Sequence, residues 1–545
     1  MPLFRNALFT ILITSSLLGA EIPVAADRAA SGITESGFRS HVRFLGDDLL
    51  EGRAAGTRGY DLSAAWLAAR FEEAGLEPSG DDGSWVQQVP FVRSTLDSGT
   101  MVLHRRSGDR ELILYEDFVV QPDPVRPTSE VTAPAAFVGF GISAPELQWD
   151  EYAAIDVRGK IAVILAGAPA RFPPTLRAHH AASSNKISLA VERGAVGVVI
   201  VRGPESEKRY PWDRMIRGAK LPSLRWIGPD GTVARHHPQL GAVATIGRGT
   251  AEELFSGARG GVDRVFALEQ DARRPLAFPL DARLTIRTSS SHERITSPNV
   301  AAILRGSDPV LRDEVVVYSA HLDHVGITEP VNGDRINNGV MDNATGIAAL
   351  VETAKAFTSM PSSPARSLLF LAVTAEEKGL LGSDYFASYP TVPADDIVAN
   401  INMDMFLMLY PMKEVLVHGY DHSTLARAVD SAAAHLGIRP IPDPAPEEAS
   451  FVRSDQYSFV KRGVPGIAIS EGTDPSAADP RAATKEWLLT RYHTPSDDLD
   501  QPIHWEAGRD FARFSFLVGY IVASAAEAPR WNEGDFFGAQ FGRTQ

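Results

Sequence analysis

The chain has 545 residues, more than one ordinary hydrophobic core serves, so two or three domains are expected. Its 53 Lys and Arg against 68 Asp and Glu leave a net charge of −15, which argues against nucleic acid or an anionic membrane surface as a partner. There is no cysteine, so no disulfide supports the fold, and any transition-metal site must be built from imidazole and carboxylate.

The N-terminus reads as a secretory signal peptide. Arg5 supplies the positive start, and the apolar run from Ala7 to Leu18 is too short to span a membrane comfortably. Small residues allow cleavage near Ala20 or near Ala26, and Val24-Ala25-Ala26 is the better fit. The expectation is removal of residues 1–26 and an exported protein, periplasmic or extracellular, with no stable membrane insertion afterwards.

From Gly37 to Gly75 apolar residues recur at helical spacing in two runs, broken by a loop from Glu51-Gly52-Arg53 to Gly59. Gly75 suits a helix C-cap. Short strand-like pieces follow: VQQVPF, MVLHRR and LILYEDFVV. The proline-rich stretch from Pro122 to Thr128 suits a linker. Beyond it, AAFVGFGIS and GKIAVILAG read as strands, and KISLAVERGAVGVVIV as a helix running into a strand. His179-His180 lies inside this region and is read as plain surface, because sequence neighbours point apart and no acids accompany them. Strands resume at ARLTIRT and SPNVAAILRG. From there strand and helix alternate: EVVVYSA, a helix after Asp342 with Ile347, Leu350, Val351 and Ala354 on one face, LLFLAV, IVANINMDM, EVLVHG, a helix near Leu425 to Leu436, GIAIS, and a last helix around Trp505 to Ala523. That alternation predicts an α/β fold with a mostly parallel central sheet flanked by helices.

Five groups carry possible chemistry. His321 and Asp323 sit two apart where a strand ends, so they point the same way. The carboxylate could fix the tautomer of a ligating histidine, or both could be a solvated corner. His324 is read as structural. Asp342, flanked by Gly and Asn before a helix, is either a ligand or an N-cap. Glu376 and Glu377 follow a hydrophobic strand directly. Two adjacent acids there are costly to desolvate unless a cation offsets them, and they can divide the work between metal binding and proton transfer. Asp404 sits among apolar neighbours at the end of another strand, which favours a ligand role. His493, in YHTPSDD, matters as the missing nitrogen ligand. Asp342, Glu377 and Asp404 bring three negative charges, which two Zn²⁺ and one hydroxide would balance.

The ordered set SAHLDHVG, MDNATG, TAEEKGLLGS, NMDM and YHTPSDD resembles the co-catalytic di-zinc exopeptidases, metallopeptidase family 28 of the secreted bacterial aminopeptidase type. The Phe137–Gly141, Val157–Lys160 and Gly194–Val198 segments are similar to a protease-associated domain. The resemblance implies a β-rich insert at 126–262 within a catalytic domain made of 27–125 and 263–545. It implies two Zn²⁺ per chain: His321 and Asp404 on one, Glu377 and His493 on the other, with Asp342 bridging. Glu376 would be the general base, Asp323 would orient His321, and Tyr492 would help stabilise the tetrahedral intermediate. Arg453, in FVRSDQYSFVKRGVP, matches a segment that lines the substrate pocket. The implied activity is exopeptidase action on peptide substrates, aminopeptidase first, with a carboxypeptidase, a dipeptidase or a single-zinc glutaminyl cyclase on the same scaffold as alternatives.

Overall fold

The structure, a computed structural model, describes residues 22–543. The expected leader lies mostly outside the described residues. Three parallel strands form the centre: Ile397–Met403, Val315–His321 and Ser367–Val373, side by side in that order. Their Val-, Ile- and Leu-rich composition follows from burial on both faces. Val316, Tyr318, Leu368 and Phe370 pack into one core, and Val315, Val317, Leu369 and Leu371 into another on the opposite face. This is the two-residue alternation of a strand. Gly466–Glu471 extends the sheet in parallel, and Glu414–His418 pairs antiparallel beyond it.

The helix Thr345–Thr358 is expected to be amphipathic. It is buried almost all round, because Glu35–Leu45 and Trp505–Ser524 cover the side that faces away from the sheet. Arg58–Glu73 ends as expected: Gly75 has φ +80°, and its N–H donates to the Glu72 carbonyl (2.9 Å). The first described helix, Val24–Gly32, buries Ala26, Ala29 and Ala30 in the main core. Cleavage after Ala26 would divide this helix; cleavage near Ala20 would leave it whole. Among the described residues no helix is long and apolar enough to cross a membrane.

Two pairs of expected strands are each one long strand. VQQVPF and MVLHRR lie in Val86–Arg105, and ARLTIRT and SPNVAAILRG lie in Ala277–Leu304. The two pair antiparallel from Val300↔Val86 to Arg283↔His104, with a bulge at Ser289/Ser290. One end of Ala277–Leu304 pairs with Ser367–Val373; the other pairs with Thr128–Val138. From there Ile161–Leu165, Gly197–Val201 and Val243–Ile246 continue the sheet in parallel. The insert therefore shares a continuous sheet with the C-terminal half. It is also less purely β than the sequence suggests, since Ser183–Glu192, Trp212–Ala219 and other short helices cover its strands. Its own core includes Met101, Leu103, Leu284 and Ile286 as well as Phe137 and Phe255. That unit reaches beyond 126–262 at both ends, because the long strands serve both cores.

His179 and His180 are not plain surface. His179 Nδ1 lies 2.7 Å from the Tyr457 hydroxyl, and its ring packs on Phe536 and Phe541. His180 Nε2 lies 2.8 Å from Glu146. Burial, with His180 beside it, pushes the His179 pKa down to about 4, so His179 is a neutral joint between the insert and the C-terminal domain. Trp226 adds a second joint, donating to Asp384 (3.1 Å).

Gly519 tests the packing of the last helix. Its Cα faces Tyr318, whose hydroxyl donates to the Ser515 carbonyl (2.8 Å), and an added Cβ would overlap that hydroxyl. Helix propensity alone favours Ala by about 1 kcal/mol, but overpacking costs about 1–3 kcal/mol. Gly519→Ala is expected to lower the urea midpoint without changing the slope of the transition.

Candidate metal centre

The sheet gathers the site at one edge. His321 ends Val315–His321, Glu376 and Glu377 follow Ser367–Val373, and Asp404 follows Ile397–Met403. These are three adjacent parallel strands, so their carboxyl ends bring the side chains together, as at other open α/β sheet edges. Asp342 enters from the turn before Thr345–Thr358. The N-cap of that helix is Ala344, so Asp342 is free to face the site. His493 arrives from the loop after Ala482–Thr490.

The donor atoms pair off. His321 Nε2 lies 3.2 Å from Asp342 Oδ1 and 3.0 Å from Asp404 Oδ1. His493 Nε2 lies 3.2 Å from Asp342 Oδ2 and 3.0 Å from Glu377 Oε2. Two donors on one tetrahedral zinc at about 2.0–2.2 Å sit about 3.3 Å apart, so both triads are of coordination size. Each Asp342 oxygen faces one imidazole, which is the arrangement of a bridging carboxylate. His324 Nε2 is buried without a hydrogen-bond partner, and His324 Nδ1 and Glu377 Oε1 are buried against each other without hydrogen-bond geometry; a nearby cation would answer that deficit. The donor set therefore fits two zinc ions.

His324, read as structural from the sequence, belongs to this centre. Its Nδ1 is 2.7 Å from Glu377 Oε1 and 4.0 Å from Asp342 Oδ2, so His324, Asp342 and Glu377 form a donor group of their own. Two imidazoles thus flank Glu377. The HLDH spacing held this signal, but the chain leaves strand geometry after His321, so alternation could not place the residue.

Asp323 also differs from expectation. The His321 Nδ1 contact, at 3.0 Å, is to the Asp323 backbone carbonyl. The Asp323 carboxylate instead accepts from the N–H groups of Glu376 (3.0 Å) and Glu377 (3.4 Å). It fixes the turn that carries both glutamates, while its main chain sets the His321 tautomer.

Three supports were not legible in the sequence. Arg53, read as part of a loop, is buried and donates to the carbonyls of Leu322 (3.0 Å), Asn338 (2.6 Å), Gly339 (3.0 Å) and Leu45. One guanidinium fork thus ties the His321 loop to the Asp342 loop, and burial pushes its pKa down to about 10 against the pull of Asp497 and Asp323. Asp497 accepts from the N–H groups of Met341 (2.9 Å) and Asp342 (3.1 Å). Ser454 donates to Asp404 Oδ2 and accepts from Asn402 Nδ2 (2.7 Å). Backbone strain also collects here: Ala375, Met405 and His493 have φ of +54°, +50° and +55°, a region that non-glycine residues enter when the surroundings over-determine them.

Without a cation, protons take its place. Burial opposes charging His321, but Asp404 and Asp342 outweigh it and raise its pKa well above the usual range. Burial opposes His493 too, yet Glu377 and Asp342 push it up to about 10. Glu377 falls to about 2 against burial, mainly through His493. Glu376 goes the other way: burial, then the charges of Asp404, Asp455 and Glu377, raise it well above the carboxylate range.

Tyr492 stacks on His493 with ring centroids 3.8 Å apart. Arg453 is exposed and donates to the Glu448 carbonyl (3.4 Å), and its charge acts on Tyr492. The insert reaches the same place, with the Arg214 guanidinium 6.0 Å from the Tyr492 ring.

Two outcomes follow. Zinc binding must displace the protons on His321 and His493, so titration near pH 7 is expected to release about two protons per chain, measured by the buffer dependence of the calorimetric heat. Arg53→Met leaves four carbonyls without their donor, so it is expected to cost about 3–5 kcal/mol in chemical denaturation and to weaken zinc retention; Arg53→Lys is expected to restore little, lacking the fork.

Comparison with known proteins matches the segment that carries these residues. Residues 299–518 match peptidase family M28. Leupeptin-inactivating enzyme 1 of Streptomyces exfoliatus is 28% identical over 286 residues, covering 50% of this chain and 57% of that protein. The probable leucine aminopeptidase 2 of Aspergillus oryzae is 27% identical over 257 residues, covering 45% and 48%. The chain thus spans about half the length of these curated relatives. The aminopeptidase from Aneurinibacillus sp. strain AM-1 superposes with a TM-score of 0.54 at 18% identity, over 92% of this chain and 97% of that one, a likeness of fold. The parallel sheet, the ligand-bearing edge and the matched segment agree: residues 299–518 form a domain of peptidase family M28.

Proposed function

We propose that the protein is an exported metallo-aminopeptidase that removes N-terminal residues from peptides at a centre of two zinc ions. The observation that carries this reading is Asp342, whose two carboxylate oxygens each face a different imidazole within 3.2 Å. His321 and Asp404 would hold one ion, Glu377 and His493 the other, with His324 beside Glu377. When bound, the pair would polarise the scissile carbonyl and bring the pKa of a shared water towards neutrality.

The residues then have separate tasks. Glu376 is held by its N–H on Asp323, and its raised pKa suits a base that accepts a proton near neutral pH and returns it to the leaving amine. Tyr492 keeps its proton, because burial and the charges of Asp342 and Glu377 raise its pKa, so its hydroxyl can donate to a developing oxyanion. Asp404 is the more exposed partner of His321, its side chain 16% exposed, where it could meet a free α-ammonium group. The inserted unit reaches this side of the centre through Arg214, 6.0 Å from the Tyr492 ring. We also propose that the unit is the protease-associated domain that the sequence resembles, and that the leader is cut near Ala20, which keeps Val24–Gly32 whole.

One observation favours a second reading. Arg214 and Arg453 both act on Tyr492, and a pair of cations there would suit a substrate carboxylate, as in a dipeptidase or carboxypeptidase. Matched peptides with free and blocked N-termini separate the two: the aminopeptidase reading requires loss of cleavage when the amine is blocked. Glu376→Gln is expected to retain two zinc ions by elemental analysis while kcat falls by about 10²–10⁴; undiminished turnover would refute the assignment of the base.

A further inference from the structure

A cavity of about 360 Å³ lies where the insert meets the peptidase domain. Arg225, Arg235 and Lys378 line it, in a chain whose net charge is −15. The lining carboxylate, Asp123, is already engaged by the N–H groups of Val125 (2.9 Å) and Arg126 (2.7 Å) and by Arg126 Nε (2.6 Å). Arg235 stands 3.6 Å from Asp384, which Lys461 also holds at 3.1 Å. Arg225 donates to the carbonyl of its neighbour Leu224 (2.8 Å), and burial together with Arg235 pushes its pKa down to about 10. The Lys378 ammonium has no ion pair or hydrogen bond among the described residues. His236 Nε2, on the same wall, is buried without a hydrogen-bond partner, 3.9 Å from Asp123 Oδ1. Ser183 and Ser184 open the ten-residue helix Ser183–Glu192 at this wall, and no side chain caps its first N–H groups.

Arg225 and Lys378 have no acid paired with them among the described residues, and cations held close together repel one another, more so in a partly dry cavity. Guanidinium and ammonium donors, hydroxyls and a helix N-terminus converging on one space are the groups that recognise an oxyanion. We propose that this cavity binds a small oxyanion, supplied as a free inorganic ion or as a carboxylate of a bound peptide, and that its occupant ties the insert to the catalytic turn. The tie is short in sequence and in space. Lys378 follows Glu377 directly, and Arg235 donates to the Gly379 carbonyl (3.2 Å). Binding itself is independent of the peptidase reading; only its effect on cleavage rests on that reading.

The test uses the full zinc-loaded chain. Crystals soaked in selenate are expected to show an anomalous peak in the cavity, within contact of Arg225 and Ser183 or Ser184. Calorimetry with sulfate against chloride at equal ionic strength is expected to give saturable binding, weakened about tenfold in Arg225→Gln, the loss of one charge-assisted hydrogen bond. Lys378→Gln is a second variant that leaves the insert strands untouched, and the same weakening is expected there. Two peptide arms then identify the source. If Arg225→Gln raises KM for a peptide ending in a free carboxylate and not for its amide, the peptide supplies the anion; if KM is unchanged for both while sulfate binding is lost, the anion is free. Selenate found only at the metals, no saturable sulfate binding, or equal affinity in both variants and the parent chain would each overturn the site, whether or not the protein cleaves peptides.

Discussion

The centre depends on one carboxylate placed between two imidazoles. Asp342 puts Oδ1 towards His321 and Oδ2 towards His493, so two positive charges can be held on either side of one negative group. Everything nearby serves that placement. Arg53 fastens the loops of His321 and Asp342 to each other, Asp497 holds the Asp342 backbone, and Asp323 holds the glutamate turn. Gly339, with φ +61°, completes the approach, because a Cβ there would collide with the Asp342 carbonyl and the His324 ring.

The same geometry explains why the acids sit on a buried edge. Glu377, Asp342 and Asp323 are desolvated, which would be unfavourable without countercharge. Imidazolium, Arg53 and, when present, metal supply it. Burial still raises Asp323 to about 7, and Glu376 is raised well above the carboxylate range, because burial and the charges of Asp404, Asp455 and Glu377 outweigh the pull of His321. That imbalance sets Glu376, the proposed proton acceptor, apart from Glu377, the proposed ligand one residue away.

Much of this was legible in the sequence because strand ends are. His321, Glu376–Glu377 and Asp404 each follow a largely apolar run, so a shared sheet edge could be inferred before any coordinates. The supports were less legible. Arg53 acts through backbone carbonyls that are remote in sequence, and no pattern in EGR announces that. His324 lies three residues past the strand end, where alternation no longer applies. The histidine pair at 179–180 was misread because its partners, Tyr457 and Phe536, come from the far end of the chain. The long strands Val86–Arg105 and Ala277–Leu304 looked like separate short ones because their polar middles cross between two cores, and that continuity joins the insert to the peptidase sheet.

The most direct measurement is anomalous diffraction at the zinc edge from crystals of the zinc-loaded protein. The account predicts two peaks about 3.5–4 Å apart, one beside His321 and Asp404, the other beside Glu377, with an Asp342 oxygen reaching each. A single peak, or two ions too far apart for one carboxylate to span, would contradict it.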